Sequence, residues 1–118
     1  MIFGYEKLSV WNKSVDFAVA VIELIENKMP KYHHRRLVQQ IEASSTSISM
    51  NIAEGKGRFS KKEFVHYLYI SRGSLYETMT LLEIMKRKTW ITDEEYYTIA
   101  GDGLEIASMI KGLINSIK

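Results

Sequence analysis

The 118-residue chain is 46% hydrophobic and 25% charged, values of an ordinary globular domain long enough to bury a core without staples. It has no cysteine, which excludes a disulfide scaffold, thiol catalysis and cysteine-ligated metal. A net charge of +2 is too small to announce a nucleic-acid binder, so the placement of charge has to carry that argument.

The first residues show no basic start followed by an apolar stretch, and no run approaches the ~20 apolar residues that span a bilayer. A single cytoplasmic domain covering residues 1–118, with no membrane contact, is expected. Trp11, Val15, Ala18, Ile22 and Ile25 recur at helical spacing and predict a first helix over residues 9–27, closed by Asn27-Lys28-Met29-Pro30 because proline cannot continue it. Leu37, Ile41, Ile48 and Ile52 predict a second helix over 34–54. This helix carries the small polar run Ala43, Ser44, Ser45, Thr46, Ser47 and Ser49, which suits either close approach to a neighbouring helix or packing against another subunit.

Gly55 and Gly57 follow, read as a C-terminal stop in which glycine supplies positive φ. Ser60 with Glu63 fits a capping box that opens a third helix over 61–88, with Phe64, Leu68, Leu75, Leu82 and Met85 on one stripe. Gly73 inside it costs roughly 1 kcal/mol against alanine and admits the same two explanations as the serines. Thr92 with Glu95 opens a fourth helix over 93–117. No strand alternation appears. Four helices joined by short turns predict an all-α, up-down-up-down antiparallel four-helix bundle.

Catalytic and metal-binding patterns do not assemble. Glu63-Phe64-Val65-His66 is an E-x-x-H pair of the kind two-iron bundles use twice, but here it occurs once and Glu63 is needed as a cap. The serine run has no histidine at a helical neighbour position, and Gly55-Lys56-Gly57-Arg58 is too short for a phosphate loop. Glu54, Arg72 and Glu77 read better as an ion-pair lock between helices two and three than as an acid–base set, with Asn51 beside them. No enzyme activity, metal or cofactor is expected.

Charge, by contrast, is segregated. Alternating helix directions place Lys28, Lys31, Arg35 and Arg36 of the first turn at the same end as Lys86, Arg87 and Lys88 of the third. Lys56, Arg58, Lys61 and Lys62 occupy the other end, with Lys7 and Lys118 near by. The fourth helix instead carries Asp93, Glu94, Glu95, Asp102 and Glu105. Bases at helix C-termini also complement the macrodipole, so either end admits a structural as well as a phosphate-binding reading. Most of Tyr5, Tyr32, Phe59, Tyr67, Tyr69, Tyr76, Tyr96 and Tyr97 fit core or subunit contacts better than base stacking.

The run Ser47-Ile48, Asn51-Ile52-Ala53-Glu54-Gly55, Gly57-Arg58, Ser60 and Glu63-Phe64, followed by Arg72-Gly73-Ser74-Leu75-Tyr76-Glu77, resembles the four-helix-bundle family encoded in intervening sequences of bacterial 23S ribosomal RNA genes. The opening residues 5–11 are similar as well; Ser49-Met50 depart from the proline and small residue common there. The resemblance implies four-helix bundles that associate as ring-shaped homopentamers without known catalysis, and a related accessory protein of diversity-generating retroelements works with nucleic acid. Arg58, Lys61, Lys62 and Arg72 lie in or beside the motif and are the first candidates for RNA or DNA contact. Lys31, Arg35, Arg36, Lys86, Arg87 and Lys88 rest on charge alone. The expectation is a non-enzymatic homo-oligomer that binds nucleic acid without strong sequence preference. The alternative is a scaffold whose ring engages a partner protein.

Overall fold

The computed structural model describes residues 2–29 and 34–118, so Pro30, Lys31, Tyr32 and His33 lie outside the described residues. A short 3-10 turn, Gly4–Lys7, leads into α1 (Ser9–Lys28), α2 (Arg35–Lys56), α3 (Lys61–Arg87) and α4 (Asp93–Ile117). Among the described residues there is no strand. The helices pack in a closed cycle in which α1 touches α2 and α4, and α3 touches α2 and α4, within 43 × 23 × 23 Å. Neighbours run antiparallel: Ser44 meets Thr78 while Ser47 meets Ser74, and Lys28 pairs with Glu95 while Lys13 pairs with Glu105.

Capping explains where the helices begin. The Thr92 hydroxyl accepts from the Glu95 N–H at 3.1 Å, and the Glu95 carboxylate accepts from the Thr92 N–H at 2.8 Å, a complete capping box. At α3 the Ser60 hydroxyl accepts from the Glu63 N–H, but the Glu63 carboxylate takes the Ser60 hydroxyl rather than its N–H. The backbone N–H groups of Ile2 and Phe3 donate to the Glu6 carboxylate at 2.9 and 2.6 Å, tying down the N-terminal residues.

The Thr92 N–H holds the Glu95 carboxyl below the ordinary carboxylate range; burial opposes this, and Lys28 at 3.1 Å adds to the lowering. A folded pKa below the unfolded one stabilises fully above the unfolded value, and that contribution is lost as pH falls through the depressed value. Glu95→Gln keeps a capping amide but not the charge. Thermal melts near neutral pH and near pH 3 are therefore expected to differ less for this variant than for the unchanged protein. An equal acid loss in both would contradict this assignment.

The core runs the length of the molecule through Ile41, Ile48 and Ile52 of α2, Leu68, Leu75, Leu82 and Met85 of α3, and Ile106 and Ile110 of α4. In α1 the buried face is Val10, Ser14, Phe17, Ala18, Val21 and Ile25; of the stripe that the apolar spacing suggested, Ala18 and Ile25 belong to it and Trp11 packs against the core, whereas Val15 and Ile22 do not. Val15, Val19 and Ile22 face away from the core cluster. The serine at position 14 lies on the core axis with its hydroxyl unpartnered, which disguises the true face in the sequence.

The small residues of α2 serve close approach to α3. Ser44 and Thr78 share a 2.8 Å hydrogen bond, as do Ser47 and Ser74, and the Ser71 hydroxyl donates to the Ile48 carbonyl at 2.8 Å. Asn51 donates to the hydroxyl and carbonyl oxygens of Ser47, one turn back on its own helix. These hydroxyls, not an ion pair, join the two helices. Glu54 pairs with Arg58 instead, Arg72 lies over tyrosine rings, and Glu77 is exposed with no side-chain hydrogen bond or ion pair among the described residues.

The glycines of the α2–α3 turn differ from expectation too. No glycine has positive φ among the described residues, and Gly57 sits at φ −79°. Gly55 is required for space: a Cβ there would stand 2.7 Å from the Tyr67 Cβ and 3.0 Å from a Phe64 ring carbon. Gly73 is exposed, with nothing within 4 Å of the position its Cβ would take, so close approach within the chain does not explain it.

Candidate nucleic-acid interface

The two ends of the molecule are both basic in sequence but differ in how the charges are used. At the end formed by the α1–α2 and α3–α4 turns, the His34 ring stacks on Trp90 at 3.8 Å, which brings the two turns together. Lys28 pairs with Glu95 at 3.1 Å, and Glu83 takes both Lys86 at 3.2 Å and Arg87 at 2.9 Å. The Arg87 hydrogen bond is the main reason the Glu83 carboxyl is held below its ordinary range. Burial presses the Lys86 ammonium down, but Glu83 outweighs it and the net shift is upward. Asp93 and Glu94 add further negative charge in the first turn of α4. Lys28 and the Lys86–Arg87 pair also occupy helix C-terminal turns, where cations complement the dipole. Fold stability alone accounts for most of the charge at this end. Arg35, Arg36 and Lys88 are exposed beside these pairs, with Lys88 over the Trp90 ring at 6.0 Å, and Lys31 lies outside the described residues.

The opposite end is built otherwise. Arg58 donates to the Glu54 carboxylate and to the Tyr67 hydroxyl, with its guanidinium 4.9 Å from the Tyr67 ring centroid. Those contacts strap the turn over Gly55, so Arg58 is explained by the turn itself. Lys56 lies over the Phe64 ring at 5.9 Å. Lys61 and Lys62 are the first two residues of α3, both exposed, and neither has a carboxylate partner among the described residues. A cation in the first turn of a helix is opposed by the macrodipole, typically by about 0.3–1 kcal/mol. Packing and capping give no reason for two adjacent lysines there. With Lys118, Val65 and Ile117 they line a shallow groove of about 280 Å3 between the start of α3 and the end of α4. Of the nearby carboxylates, Glu54, Glu6 and Glu63 are engaged by Arg58, by backbone N–H groups and by Ser60 respectively.

Arg72 does not itself line this groove. Its guanidinium lies 4.8 Å from the Tyr69 ring centroid and 6.0 Å from that of Tyr76, and those two tyrosines meet Lys118 and border a groove with Tyr96 of α4 respectively. The helical i, i+3, i+7 spacing of Tyr69, Arg72 and Tyr76 is a signal that the sequence reading missed, and Lys118 joins the set by donating to the Tyr69 hydroxyl at 3.2 Å.

Other chemistry does not converge. His66 is exposed and meets the Tyr67 ring edge-on, away from the cap that holds Glu63. Among the described residues no three of His, Asp and Glu stand together as metal ligands, and no helix is long and apolar enough to cross a membrane.

Four helices in a closed antiparallel cycle, with the hydroxyl-bonded α2–α3 pair and the strapped Glu54–Arg58 turn, define the class of protein. The family model described as 23S rRNA-intervening sequence protein matches residues 6–112, and the chain belongs to that family. Among solved structures it is similar to a Bacteroides thetaiotaomicron protein of unknown function from the S23 ribosomal protein family. That likeness has 31% identity and a TM-score of 0.79, over 89% of this chain and 97% of that one. A search of curated proteins finds no significant match.

Proposed function

We propose that the protein is a non-catalytic, self-associating bundle that binds RNA or DNA through the lysine end at the start of α3, largely without reading sequence. The observation that carries this reading is the placement of Lys61 and Lys62 in the first turn of α3, against the helix dipole and without carboxylate partners. Three ammonium groups around one groove suit phosphate oxygens, whose condensed counterions are released on contact. A ring-shaped homopentamer, the assembly the family resemblance implies, would repeat the groove about an axis and multiply weak contacts. The outward strip of Val15, Val19 and Ile22 on α1 supports self-association, since its i, i+4, i+7 spacing makes a continuous apolar face outside the core cluster.

A second reading, a scaffold that engages a partner protein without touching nucleic acid, draws on one observation. Phe59 at the α2–α3 turn is fully exposed, and Met50 and Leu104 are mostly so. Affinity for a structured RNA, measured by anisotropy, separates the two. Three phosphate contacts per protomer should cost roughly thirtyfold in affinity between about 50 and 200 mM salt. Salt-independent binding, or none at low salt, favours the scaffold. Light scattering tests the assembly, and a mass near 13.7 kDa would contradict it.

A further inference from the structure

Tyr69 and Tyr76 stand two helical turns apart on one face of α3, with Arg72 between them. Tyr76 is 55% exposed although its ring borders the Arg72 guanidinium. Arg72 has no carboxylate partner among the described residues, so its charge is committed only to ring faces. A surface arginine serving solubility or stability would sit as well beside a carboxylate, and Glu77 is near in sequence but unused. At one end of the face Lys118 lies 5.5 Å from the Tyr69 ring centroid, where it also lines the groove of Lys61 and Lys62. At the other end a groove of about 370 Å3 opens along Tyr76, Met79 and Tyr96. Its one carboxylate, Glu83, is already held by Lys86 and Arg87. Beyond it Lys86 lies 5.0 Å from the ring centroid of Tyr97, which is 63% exposed. Rings and cations thus alternate from the lysine groove along α3, over about 37 Å at 1.5 Å per residue from Lys61 to Lys86.

We infer that Lys118, Tyr69, Arg72 and Tyr76 form a stacking track for unpaired nucleotides, continuous with the lysine groove. This rests on the nucleic-acid reading above and specifies the ligand as single-stranded. Exposed tyrosine faces and a planar guanidinium offer stacking surfaces to bases of any sequence, while the flanking ammonium groups meet phosphates. A duplex, whose bases are already stacked, can use the lysine groove but not the rings.

The test compares a labelled single-stranded 12-nucleotide RNA with an RNA duplex of the same length, by anisotropy at low salt. Tyr69→Leu with Tyr76→Leu keeps helix propensity and apolar bulk, and circular dichroism checks the fold. This pair is expected to weaken single-strand binding about tenfold or more and duplex binding less than about twofold. Arg72→Lys should weaken single-strand binding nearly as much as Arg72→Gln while both leave duplex binding within about twofold, because lysine supplies charge without a plane. Unchanged single-strand binding, or equal loss on both ligands, overturns the track while leaving the lysine groove standing. A changed oligomeric mass with unchanged RNA affinity also overturns it, and assigns the face to a protein contact. If the unaltered protein binds neither ligand, the nucleic-acid reading falls, and the track with it.

Discussion

Gly55→Ala is expected to destabilise the fold by roughly 2–3 kcal/mol, although alanine is the better helix former. The added methyl would stand 2.7 Å from the Cβ of Tyr67 and 3.3 Å from the Phe64 carbonyl oxygen. Both belong to the backbone region of α3, so the clash is relieved only by moving the helix. That shift would disturb the Ser47–Ser74 and Ser44–Thr78 hydrogen bonds farther along the same interface. Gly73→Ala is the matched opposite. Its Cβ would meet nothing within 4 Å, so the gain in helix propensity, about 0.8–1 kcal/mol, is expected to appear as added stability. Urea melts of the two variants should therefore move in opposite directions from the unchanged protein. Equal stability of Gly55→Ala and the parent would mean that α2 and α3 are farther apart than described.

The second large effect concerns charge. Lys61→Glu with Lys62→Glu is expected to lower affinity for structured RNA more than about tenfold, and to reduce the steepness of its salt dependence by about two phosphate contacts. Arg36→Glu with Lys88→Glu, at the other end, is expected to change affinity by less than about threefold. The molecule is 43 Å long, several times the ~8–10 Å over which exposed charges act at physiological salt, so the two ends respond separately. The lysine variant should also be at least as stable as the parent, because carboxylates in the first turn of α3 agree with the helix dipole. A variant that loses binding while gaining stability separates a functional charge from a structural one.

How much of this was legible from the residues varies by element. α2 and α3 were plain, because Ile41, Ile48 and Ile52, and Leu68, Leu75 and Leu82, repeat on faces otherwise polar. Thr92 with Glu95 marked the start of α4 through local chemistry alone. α1 was harder, since apolar residues surround it on most sides and Ser14 interrupts the buried face: Ala18 and Ile25 were placed rightly, but Val15 and Ile22 stood where Val10, Phe17 and Val21 belong. The turn motif was visible but its causes were not. Gly55 is fixed by Tyr67, twelve positions later, and Arg58 by Glu54 and Tyr67 together, which are facts of packing rather than spacing. Opposite charges alone suggested a lock of Arg72 to Glu54 and Glu77, but Glu54 pairs with Arg58. Arg72 lies over the Tyr69 and Tyr76 rings instead, and hydroxyl pairs hold α2 to α3. The two ends were equally basic as sequence. Only the pairing of Glu83 and Glu95, and the helix ends at which the lysines fall, distinguish them.

Ultraviolet crosslinking of the unaltered protein to a structured RNA, followed by mass spectrometry of the linked peptides, tests the central claim most directly. Crosslinks are expected in the segments from Phe59 to Tyr76 and at the end of α4, around Lys61, Lys62 and Lys118. Crosslinks concentrated at residues 86–90 and 34–36, or no crosslink above a bovine albumin control, would contradict a nucleic-acid interface at the start of α3.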